Sequence, residues 1–561
     1  MEFIEHFVDI VGGFLSPILV VGLLGAGAFL TVRLGFIQLR RLGHGFAVTT
    51  GKYDSEDTPG DVSHFQALTT ALSATVGTGN IAGVALAIHW GGPGALFWMW
   101  VTALLGMATK YSEVTLAQHY RINMDGEAKW EGSVAGGPMY YIERGIKDVF
   151  GWNWKPVAVF FAFMLMITSF FTGNAIQSNT IATQVADNFG IDTWITGLIT
   201  ASIVGAVIIG GIKRIGRVTG ILAPVMAAIY VTAALLVLMV NFQEVIPAFG
   251  TIIGEAFSPS AGVAGTGMGV FLFTLQYGVQ RGLFSNEAGQ GSAPIAHSAA
   301  KTDEPVSEGV VALLEPFIDT IVICTMTGLV IVSTGVFEAK VPTEISLDDG
   351  NISFVEYDAD GMHQNADDPT EVSVMAGVPT TDNGSLFAYY DISVDGFFTD
   401  EAQTVPFTGT ILPAEARAVS AEGTEYTVLY GDAARNSSPL TTLGFEQGLE
   451  PLGLAWLGKW VVLMCVFLFA VSTAISWSYY GDRCANYIWG KKAILPYKFV
   501  FLLFHFAGAV IAVTTIWDLG DVALSLVTLP NVISLILLSG LLKKITDSYF
   551  ERKPWESEGH V

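Results

Sequence analysis

The sequence predicts an all-α polytopic membrane protein with about eleven transmembrane helices. Of its 561 residues, 51% are hydrophobic and only 14% are charged. Many apolar stretches reach about 18 residues or more, which is long enough for a helix to cross the hydrocarbon core of a bilayer. A soluble protein would have to bury nearly all of these helices on every side, so the composition favours a membrane protein.

The predicted spans follow one another through short connections, with one long interruption. In chain order they are residues 15–36, 65–90, 94–119, 156–186, 193–211, 219–241, 262–286, 309–335, 453–481, 496–517 and 522–545. The chain starts with the acidic "MEFIEHFVDI", which lacks the basic leader of a signal peptide, so the first stretch is expected to remain as a span. The predicted domains are an extra first helix with its loop (1–64), a first set of five helices (65–241), a second set (262–337 and 453–545), an insert (338–450) and a tail (546–561).

The basic residues predict the orientation of the chain. They lie almost entirely in the connections that follow odd-numbered spans, for example Arg40 and Arg41 after the first and Arg552 and Lys553 after the last. Cytoplasmic loops are enriched in lysine and arginine. We therefore expect a multi-pass protein of the cell (inner) membrane, with its amino terminus outside and its carboxyl terminus in the cytoplasm.

The insert at 338–450 differs in composition from the rest of the chain. It holds 21 acidic residues against three basic ones, and so carries most of the net charge of −24. Segments such as "SLFAYYDISVDGFF" alternate apolar and polar residues between turn-forming ones, which predicts a small β-rich extracellular domain. Asp358, Asp360 and Gly361 resemble part of a calcium loop, but no bidentate glutamate follows them. A hydrated acidic surface is therefore favoured over a calcium site or a cap above the external mouth.

One predicted span contains a patch that weakens its own helix. Residues 73–83 read "SATVGTGNIAG", in which three glycines alternate with hydroxyl side chains and Asn80. Glycine is a poor helix former, and unpaired backbone groups are tolerated at membrane depth only where they face protein or a water-filled cavity. The patch predicts an unwound turn whose N–H groups suit a carboxylate and whose C=O groups suit a small cation. Close packing of a neighbouring helix against small residues is the alternative.

A second interrupted span favours the unwound turn. The span at 262–286 and the residues after it read "FLFTLQYGVQRGLFSNEAGQGSAPIAHSA", with four glycines, Pro294 and several polar residues. Each broken span opens a set of five, and because five is odd the two sets run in opposite directions across the membrane. Interrupted helices at matching places of inverted repeats indicate a secondary transporter with its site near the bilayer midplane.

The same segments resemble a known family. "GGPGALFWMWVTALLG" (91–106) resembles the signature of the alanine or glycine:cation symporter family, and "SATVGTGNIAG", "GGPMYYIERG" (136–145), "GLFSNEAGQGSAPIAHSAA" (282–300) and "ALLEPFIDTIVICTMTGLVI" (312–331) are similar to further blocks of it. The resemblance implies sodium-coupled uptake of alanine, glycine or a similar small neutral amino acid by alternating access. It also implies a leucine-transporter-type fold of two inverted five-helix repeats behind one extra helix. Members of the family have a shorter loop where the insert lies, so the resemblance implies no role for the insert.

The resemblance also assigns a substrate site. "VGTGN" (76–80) is similar to the unwound first core helix of that fold, whose N–H groups hold the substrate carboxylate. Gly77, Thr78 and Gly79 are therefore expected to bind it. "FTLQYG" (273–278) is similar to the break in the sixth core helix. The residues expected to complete the wall are Thr274, Gln276 and Gly278, and position and polarity add Phe171, Asn174 and Gln177.

The resemblance assigns sodium ligands in the same way. In the ninth span, Ser472 and Thr473 match the commonest sodium site of this fold, together with the carbonyls of Ser73 and Val76. Asn80 is the candidate for a second sodium site. Hydroxyl and carbonyl oxygens are hard ligands that suit sodium without a permanent buried charge. No cofactor is implied besides sodium as the coupling ion.

Other hypotheses remain open from the residues. A proton-coupled carrier of the same fold would depend on Glu287 or Asp319, although a structural pair with Arg281 is the favoured interpretation of Glu287. An ion channel or a receptor with an acidic ectodomain is a hypothesis from a different class. No nucleophile, metal-ligand set or carboxylate pair at catalytic spacing indicates an enzyme. The expected partners are a small neutral amino acid, sodium and the lipid bilayer, without nucleic acid.

Overall fold

The computed structural model describes residues 20–53, 58–124, 131–257, 268–348, 352–357, 363–389, 392–511 and 514–557. These residues form mainly helices. In chain order the helices are α1 (Val20–Arg33), α2 (Ile37–Thr49), α3 (His64–Thr75), α4 (Gly79–Gly91), α5 (Ala95–His119), α6 (138–150), α7 (155–189), α8 (Thr193–Ile208), α9 (Gly211–Val240), α10 (Phe242–Glu255), α11 (Met268–Asn286), α12 (Ala293–His297), α13 (Pro305–Thr334), α14 (Ser437–Leu449), α15 (Ala455–Trp489), α16 (Ile494–Val510), α17 (Thr514–Arg552) and α18 (Pro554–Ser557).

Several of the described helices are long and apolar enough to cross a membrane. Six do so alone, namely α7, α9, α13, α15, α16 and α17. Two bent pairs, α1 with α2 at 79° and α3 with α4 at 54°, raise the number to eight if each pair is one span. Helices α5 and α11 lie in the predicted spans 94–119 and 262–286, but they are not among the helices that are long and apolar enough to cross a membrane alone. Helix α8 is a shorter apolar helix. The prediction of a mainly helical chain with several apolar helices is confirmed.

The first predicted break lies inside the glycine patch. Helix α3 begins at a capping box, in which the side chains of Ser63 and Gln66 each accept the other's backbone N–H. It ends at Thr75, and α4 then begins with a π-helical turn at Gly79–Gly83. The two halves meet at 54°. A glycine-rich stretch gives up little helix propensity when it unwinds, so the chain bends at this point.

The second break lies later than the sequence predicts. Helix α11 is continuous through residues 273–278, where the break is predicted, and it ends only at Asn286. Glu287, Gly289 and Gly291 then take positive φ angles of 53°, 89° and 79°, before the short helix α12 begins. Glycine adopts these left-handed conformations without steric cost, which makes this segment the place where the span is interrupted.

The glycines inside α11 serve close packing. A Cβ on Gly278 would lie 2.4 Å from the carbonyl oxygen of Ala95, and a Cβ on Gly282 would lie 2.1 Å from Thr102 Oγ1. Both contacts are with α5, so the missing side chains let the two helices approach closely. Residues 273–278 therefore stay helical, which corrects the expected position of the break.

Helices α10 and α14 are among the described helices that have no predicted counterpart. Helix α10 lies in the connection before α11, and α14 lies inside the predicted insert at 338–450. The Thr441 hydroxyl of α14 donates to the carbonyl oxygen of Ile81 in the first broken span, 2.9 Å away. Phe445 and Leu449 of α14 are fully buried in the apolar core of the helical body. The last part of the predicted insert is therefore packed within the helices, although its many polar residues resemble a loop.

The described residues between 340 and 434 form strands. A two-stranded ribbon of β1 (Ile122–Asn123) and β2 (Val134–Ala135) precedes them. The strands of the insert are β3 (Lys340–Ser346), β4 (Ile352–Tyr357), β5 (His363–Asn365), β6 (Val372–Met375), β7 (Val378–Thr381), β8 (Leu386–Tyr389), β9 (Ile392–Ser393), β10 (Gly409–Leu412), β11 (Arg417–Ser420), β12 (Glu425–Tyr426) and β13 (Val428–Ala434).

The strands enclose an apolar core of their own. β3 pairs antiparallel with β13, so the two ends of the strand region lie side by side. The other strands form a five-stranded sheet in the order β12-β11-β10-β6-β7 and a four-stranded sheet in the order β5-β4-β8-β9. Phe387, Phe397 and Phe407 are buried between them, apart from the core of the helices.

The hypothesis of a calcium site concerns residues that the structure does not describe. Asp358, Asp360 and Gly361 lie outside the described residues. Within the described part of the chain, no group of three or more histidine, cysteine or carboxylate side chains is arranged to hold a metal ion.

Candidate functional site

Both helix breaks and three further helices surround one small cavity of about 20 Å³. The first break, the second break, α7, α15 and α17 all contribute to its wall. The lining residues are Ala74, Thr75, Gly77, Thr78, Gly79, Thr172, Gln177, Phe284, Glu287, Gln290, Thr473, Trp477 and Leu524. The structure therefore brings Gly77, Thr78, Gly79, Gln177 and Thr473, all singled out from the sequence, to one cavity.

Polar contacts fix the first break. The N–H of Gly77 donates to Asn80 Oδ1 at 2.8 Å, and the Thr78 hydroxyl donates to Gln177 Oε1 at 3.5 Å. Helix α4 begins immediately after, at Gly79. The first N–H groups of a helix have no preceding turn to accept them, and the helix dipole makes that end positive. This edge of the cavity is therefore suited to an anionic group.

Hydroxyls of α15 contact the carbonyls at the end of α3. Ser472 Oγ lies 3.3 Å from the carbonyl oxygen of Ser73. Thr473 Oγ1 lies 3.1 Å from the same oxygen and 3.3 Å from that of Ala74. Val76, the fourth predicted ligand, is buried at the break itself. The cluster offers several neutral oxygens within a few ångströms, the ligand set that a small hard cation prefers.

A buried carboxylate lies beside Asn80. Asp319 Oδ1 accepts from Asn80 Nδ2 at 2.6 Å, and Asp319 Oδ2 accepts from the hydroxyls of Ser285 and Thr320, each at 2.7 Å. Asp319 is fully buried, and no lysine, arginine or histidine of the described residues forms an ion pair with it. A carboxylate surrounded by neutral donors keeps an uncompensated charge, which favours binding of a cation or a proton.

The residues predicted around 273–278 lie away from the cavity wall. The Thr274 hydroxyl donates to the carbonyl oxygen of Gly91 at 2.7 Å, and Gly278 packs on Ala95. Gln276 is exposed. Because α11 continues past these positions, the wall is formed one to three turns later, by Phe284 and the residues of the second break.

Of the three residues proposed on α7, one lines the cavity. Gln177 does so, whereas Asn174 Nδ2 donates to the carbonyl oxygen of Phe501 at 2.7 Å and its Oδ1 contacts His505. Phe171 packs edge-on against Phe504, with ring centroids 5.7 Å apart. Asn174 therefore connects α7 to α16 on the far side from the cavity.

Glu287 and Gln290 are two wall residues that the sequence did not assign to the substrate site. Glu287 Oε1 accepts from Trp477 Nε1 at 3.2 Å, and its other oxygen accepts from the Ser292 hydroxyl. Among the described residues no ion pair joins it to Arg281, whose guanidinium lies 5.8 Å from the ring centre of Phe284. The favoured pairing of Glu287 with Arg281 is therefore absent. The closely spaced glycines of the segment "EAGQG" were the sequence feature that could have indicated a break, and therefore a wall of the cavity, at these residues.

Gly173 positions the Trp477 ring, and an alanine there is expected to destabilise the protein. A Cβ on Gly173 would lie 2.3 Å from Cγ of Trp477, too close for either to stay in place. We expect Gly173→Ala to cost about 1–3 kcal/mol of stability through overpacking. Thermal denaturation of the purified protein in detergent measures this. Gly83→Ala, where a Cβ has no neighbour within 4 Å, is the matched control and should keep the wild-type midpoint.

Nearly the whole chain matches the sequence profile described as the Sodium:alanine symporter family, over residues 1–353 and 405–560. The protein belongs to this family. It is 38% identical to the sodium/alanine symporter AgcS of Methanococcus maripaludis over 560 residues, covering 100% of both chains. It is 30% identical to the putative sodium/proton-dependent alanine carrier protein YrbD of Bacillus subtilis, over 93% of this chain and 87% of that one. The solved structure of MhsT in complex with L-phenylalanine covers 86% of this chain at 12% identity, with 89% of that chain matched and a TM-score of 0.48.

Membership of the family decides the class of protein. The symporter is a multi-pass membrane protein that couples amino-acid transport to a cation, and it is not an enzyme. This sets aside the channel and receptor hypotheses. The unmatched residues, 354–404, all lie within the strand region.

Proposed function

We propose that this symporter carries small neutral amino acids, alanine or glycine, into the cell together with sodium by alternating access. The observation that carries the proposal is the meeting of two broken helices at one cavity, with a cluster of oxygen ligands behind the first break. Secondary transporters with inverted repeats bind their substrate at such paired breaks. The proposal includes a leucine-transporter-type fold of about eleven spans, with α1 ahead of two inverted sets of five, α3–α9 and α11–α17.

The substrate carboxylate is proposed to bind at the start of α4. The N–H groups of Thr78 and Gly79 lie at the break, where the helix end is positive and the cavity reaches the backbone. Gly77 also lines the cavity, but its N–H donates to Asn80 Oδ1. A neutral amino acid is a zwitterion, so its ammonium group needs acceptors on the opposite wall. Glu287 and Gln290 line that wall and carry carboxylate and amide oxygens.

Substrate size is proposed to be limited by three side chains around the cavity. Phe284, Trp477 and Leu524 are its large apolar lining residues. The cavity volume of about 20 Å³ is close to the space of a single water molecule, so the substrate enters only with some movement of the wall. A longer side chain that meets these rings is rejected sterically, which favours alanine and glycine over leucine.

The first sodium ion is proposed to bind between α3 and α15. Its ligands are the hydroxyls of Ser472 and Thr473 with the carbonyls of Ser73 and Val76. The two hydroxyls each lie within 3.3 Å of the Ser73 carbonyl oxygen. Without a cation this group of oxygens is neutral. When sodium is bound, its positive charge offsets the negative carboxylate of the substrate. Binding of sodium therefore favours binding of the amino acid, and the reverse.

A second cation is proposed at Asn80 and Asp319. The uncompensated buried charge of Asp319 supports either a second sodium ion or a proton at this position, with Ser285 and Thr320 as the neighbouring hydroxyls. Proton coupling is the second candidate function, and it rests on this carboxylate alone. Asp319→Asn distinguishes a second sodium ion from a proton at this position, because an amide retains an oxygen ligand for sodium but does not take up a proton near neutral pH.

The proposed topology places the amino terminus outside and the carboxyl terminus in the cytoplasm of the cell membrane. Lysines and arginines concentrate in the loops that follow α1, α5 and α17, and those loops are proposed as cytoplasmic. The acidic strand region is then extracellular. A hydrated acidic surface remains the favoured interpretation of it.

Removal of the strand region is expected to leave transport intact. The N–H of Leu347 donates to the carbonyl oxygen of Thr427 at 2.8 Å, at the far end of the paired strands β3 and β13. Residues 348–426 are therefore replaceable by a two-residue Asn-Gly turn between Leu347 and Thr427, which favours a hairpin. We expect alanine uptake per molecule within about twofold of the full chain, since surface changes away from a site have small effects. Loss of uptake by a folded, membrane-inserted variant would assign the region a part in the transport cycle.

The proposed function is tested by alanine binding to the purified protein in detergent. Titration calorimetry with alanine in sodium chloride is expected to give saturable binding, and the same titration in choline chloride at equal ionic strength is expected to give none. Leucine in sodium chloride is the substrate control and should not bind. Binding of alanine that is equal in both salts would contradict coupling to sodium.

A further inference from the structure

A chain of five buried titratable side chains crosses the helical body behind the second break. Lys110 Nζ lies 2.9 Å from Glu315 Oε1, and Glu315 Oε2 lies 3.7 Å from His297 Nε2. His297 Nδ1 lies 2.5 Å from Glu308 Oε1, and the other Glu308 oxygen contacts His64 Nδ1. None of these side chains is more than 4% exposed. We refer to these five residues as the buried charge chain.

The buried charge chain connects the two broken spans on one face of the protein. His64 is the first residue of α3, and His297 is the last residue of α12. Between them lies Glu308 of α13, which contacts both imidazoles. The face is the one proposed as cytoplasmic. Opening a path from the substrate cavity to this face requires the two broken spans to move apart, so these contacts must change during the transport cycle.

Charge balance places a proton on this chain. Lys110 offsets one of the two carboxylates, Glu308 and Glu315, and a buried negative charge left without a partner is costly. A proton on the histidine between the two glutamates supplies the second positive charge. The other charged groups around it are Glu113 and Glu287 beside Lys110, and Arg121, Asp61 and Asp303 at the Glu308 end.

The surrounding charges do not remove the need for this proton. Arg121 donates to the backbone carbonyl oxygens of Ser298 and Ala300, at 3.2 and 2.7 Å. Glu113 and Glu287 add negative charge on the other side of Lys110, which increases the demand for a proton.

The geometry selects His297 as the protonated imidazole. Its two ring nitrogens both face carboxylate oxygens, Glu308 at 2.5 Å and Glu315 at 3.7 Å. A neutral imidazole has a single N–H, so one of these carboxylates would meet a lone pair. The imidazolium form donates on both sides.

Water has access to one end of the buried charge chain. His64 lines a cavity of about 130 Å³ between the loop after α12 and the carboxyl-terminal helices, together with Lys301, Ser307, Tyr549 and Trp555. Protons therefore reach His64 from this face.

We propose that His297 is a proton-binding site and that the bound proton holds the two broken spans together on this face. Loss of the proton leaves two carboxylates facing one lysine, and their excess negative charge favours separation of α3 from α12. Cytoplasmic pH then controls inward opening. The proton site itself does not depend on the proposed function. Only the effect of the bound proton on transport rests on the proposed function.

The proton on His297 is tested by nuclear magnetic resonance of the full-length protein carrying ¹⁵N-labelled histidine. At about pH 8 an ordinary histidine is neutral, so an imidazolium signal stands out. We expect such a signal in the wild type and its absence in His297→Gln, with no loss in His119→Gln, a control at an exposed position on the same face. A neutral His297 at this pH overturns the proposal.

Two charge-changing variants test the cause of the protonation. Glu308→Gln removes the negative charge that faces Nδ1 of His297, so the midpoint of the His297 titration is expected to fall by about one pH unit or more. Lys110→Gln removes the compensating positive charge, so the midpoint is expected to rise. Because the two shifts have opposite signs, general loosening of the fold cannot produce both. Shifts in the same direction contradict the charge-balance argument.

The gate function is tested by hydrogen exchange of the amides in residues 293–304. We expect His297→Gln to lower their protection by about tenfold or more at neutral pH, because one buried partner of each carboxylate is lost. The wild type should lose the same protection only as the pH is raised, after correction for intrinsic exchange rates. Unchanged protection in the variant overturns the gate, and this readout requires no transport.

Discussion

Replacing Gly77 with alanine is expected to abolish sodium-driven uptake while the protein remains folded in the membrane. A Cβ at this position would lie 2.8 Å from Thr473 Oγ1, inside the contact distance of the two atoms. The same hydroxyl lies 3.1 Å from the carbonyl oxygen of Ser73, where we place sodium. A displacement of about 1 Å at a reacting or binding centre costs about a hundredfold in rate. We therefore expect the initial rate of radiolabelled alanine uptake into liposomes to fall by about that factor.

The matched control is Gly83→Ala in the same span. A Cβ on Gly83 would have no neighbour within 4 Å, so this variant changes the glycine content of the helix without disturbing a ligand. Its uptake is expected to stay within about twofold of the wild type. Equal losses in both variants would assign the effect to helix propensity. Full activity of Gly77→Ala would show that Thr473 has no part in the site.

Replacing Thr473 with valine is expected to raise the sodium concentration needed for half-maximal uptake by about tenfold or more. Valine has nearly the shape of threonine, so the change removes one oxygen and keeps the packing. A hydrogen bond or ligand contact to a charged group contributes about 1.5–3 kcal/mol, which corresponds to at least a tenfold change in affinity. Thr473→Ser retains the hydroxyl and should need sodium concentrations within about threefold of the wild type.

A variant that loses a different buried hydroxyl of α15 is the control for Thr473→Val, because it shows whether loss of any hydroxyl in this helix changes the sodium dependence of uptake. The Ser478 hydroxyl donates to the carbonyl oxygen of Ile475 at 2.7 Å, within the same helix. Ser478→Ala is therefore expected to leave the sodium dependence of uptake unchanged. A Thr473→Val variant whose sodium dependence matches the wild type would remove this residue from the sodium site and shift attention to Asp319.

The first break was predictable because its signal is local. Three glycines among hydroxyls in an apolar stretch have few uses in a membrane, and the chain does bend there. The contact of Thr473 with the carbonyl oxygen of Ser73 joins two residues selected through the family resemblance, whereas its contact with the carbonyl oxygen of Ala74 was not predicted.

The second break was placed too early because glycine has two uses that look alike in a sequence. Gly278 and Gly282 sit against the backbone and side chains of α5, whereas Gly289 and Gly291 take positive φ angles. Only the position of the neighbouring helix separates these cases. For the same reason Glu287 was interpreted as a partner of Arg281, although its contacts are with Trp477 and Ser292.

The helix α14 shows a limit of hydropathy. Its sequence "SSPLTTLGFEQGL" is polar enough to pass for the end of the insert, yet Phe445 and Leu449 are buried in the helical core. A short helix surrounded by other helices needs few apolar residues, because its hydroxyls find backbone partners such as the carbonyl of Ile81. Tertiary contacts of this kind are not encoded in any local pattern.

The most direct test of the account is uptake by liposomes that contain the purified symporter. Radiolabelled alanine and glycine are offered under an inward sodium gradient, an inward proton gradient, and neither. We expect accumulation of the labelled amino acid under the sodium gradient alone, and loss of this accumulation in Gly77→Ala. Accumulation driven by the proton gradient alone, or no accumulation of either amino acid under the sodium gradient, would contradict it.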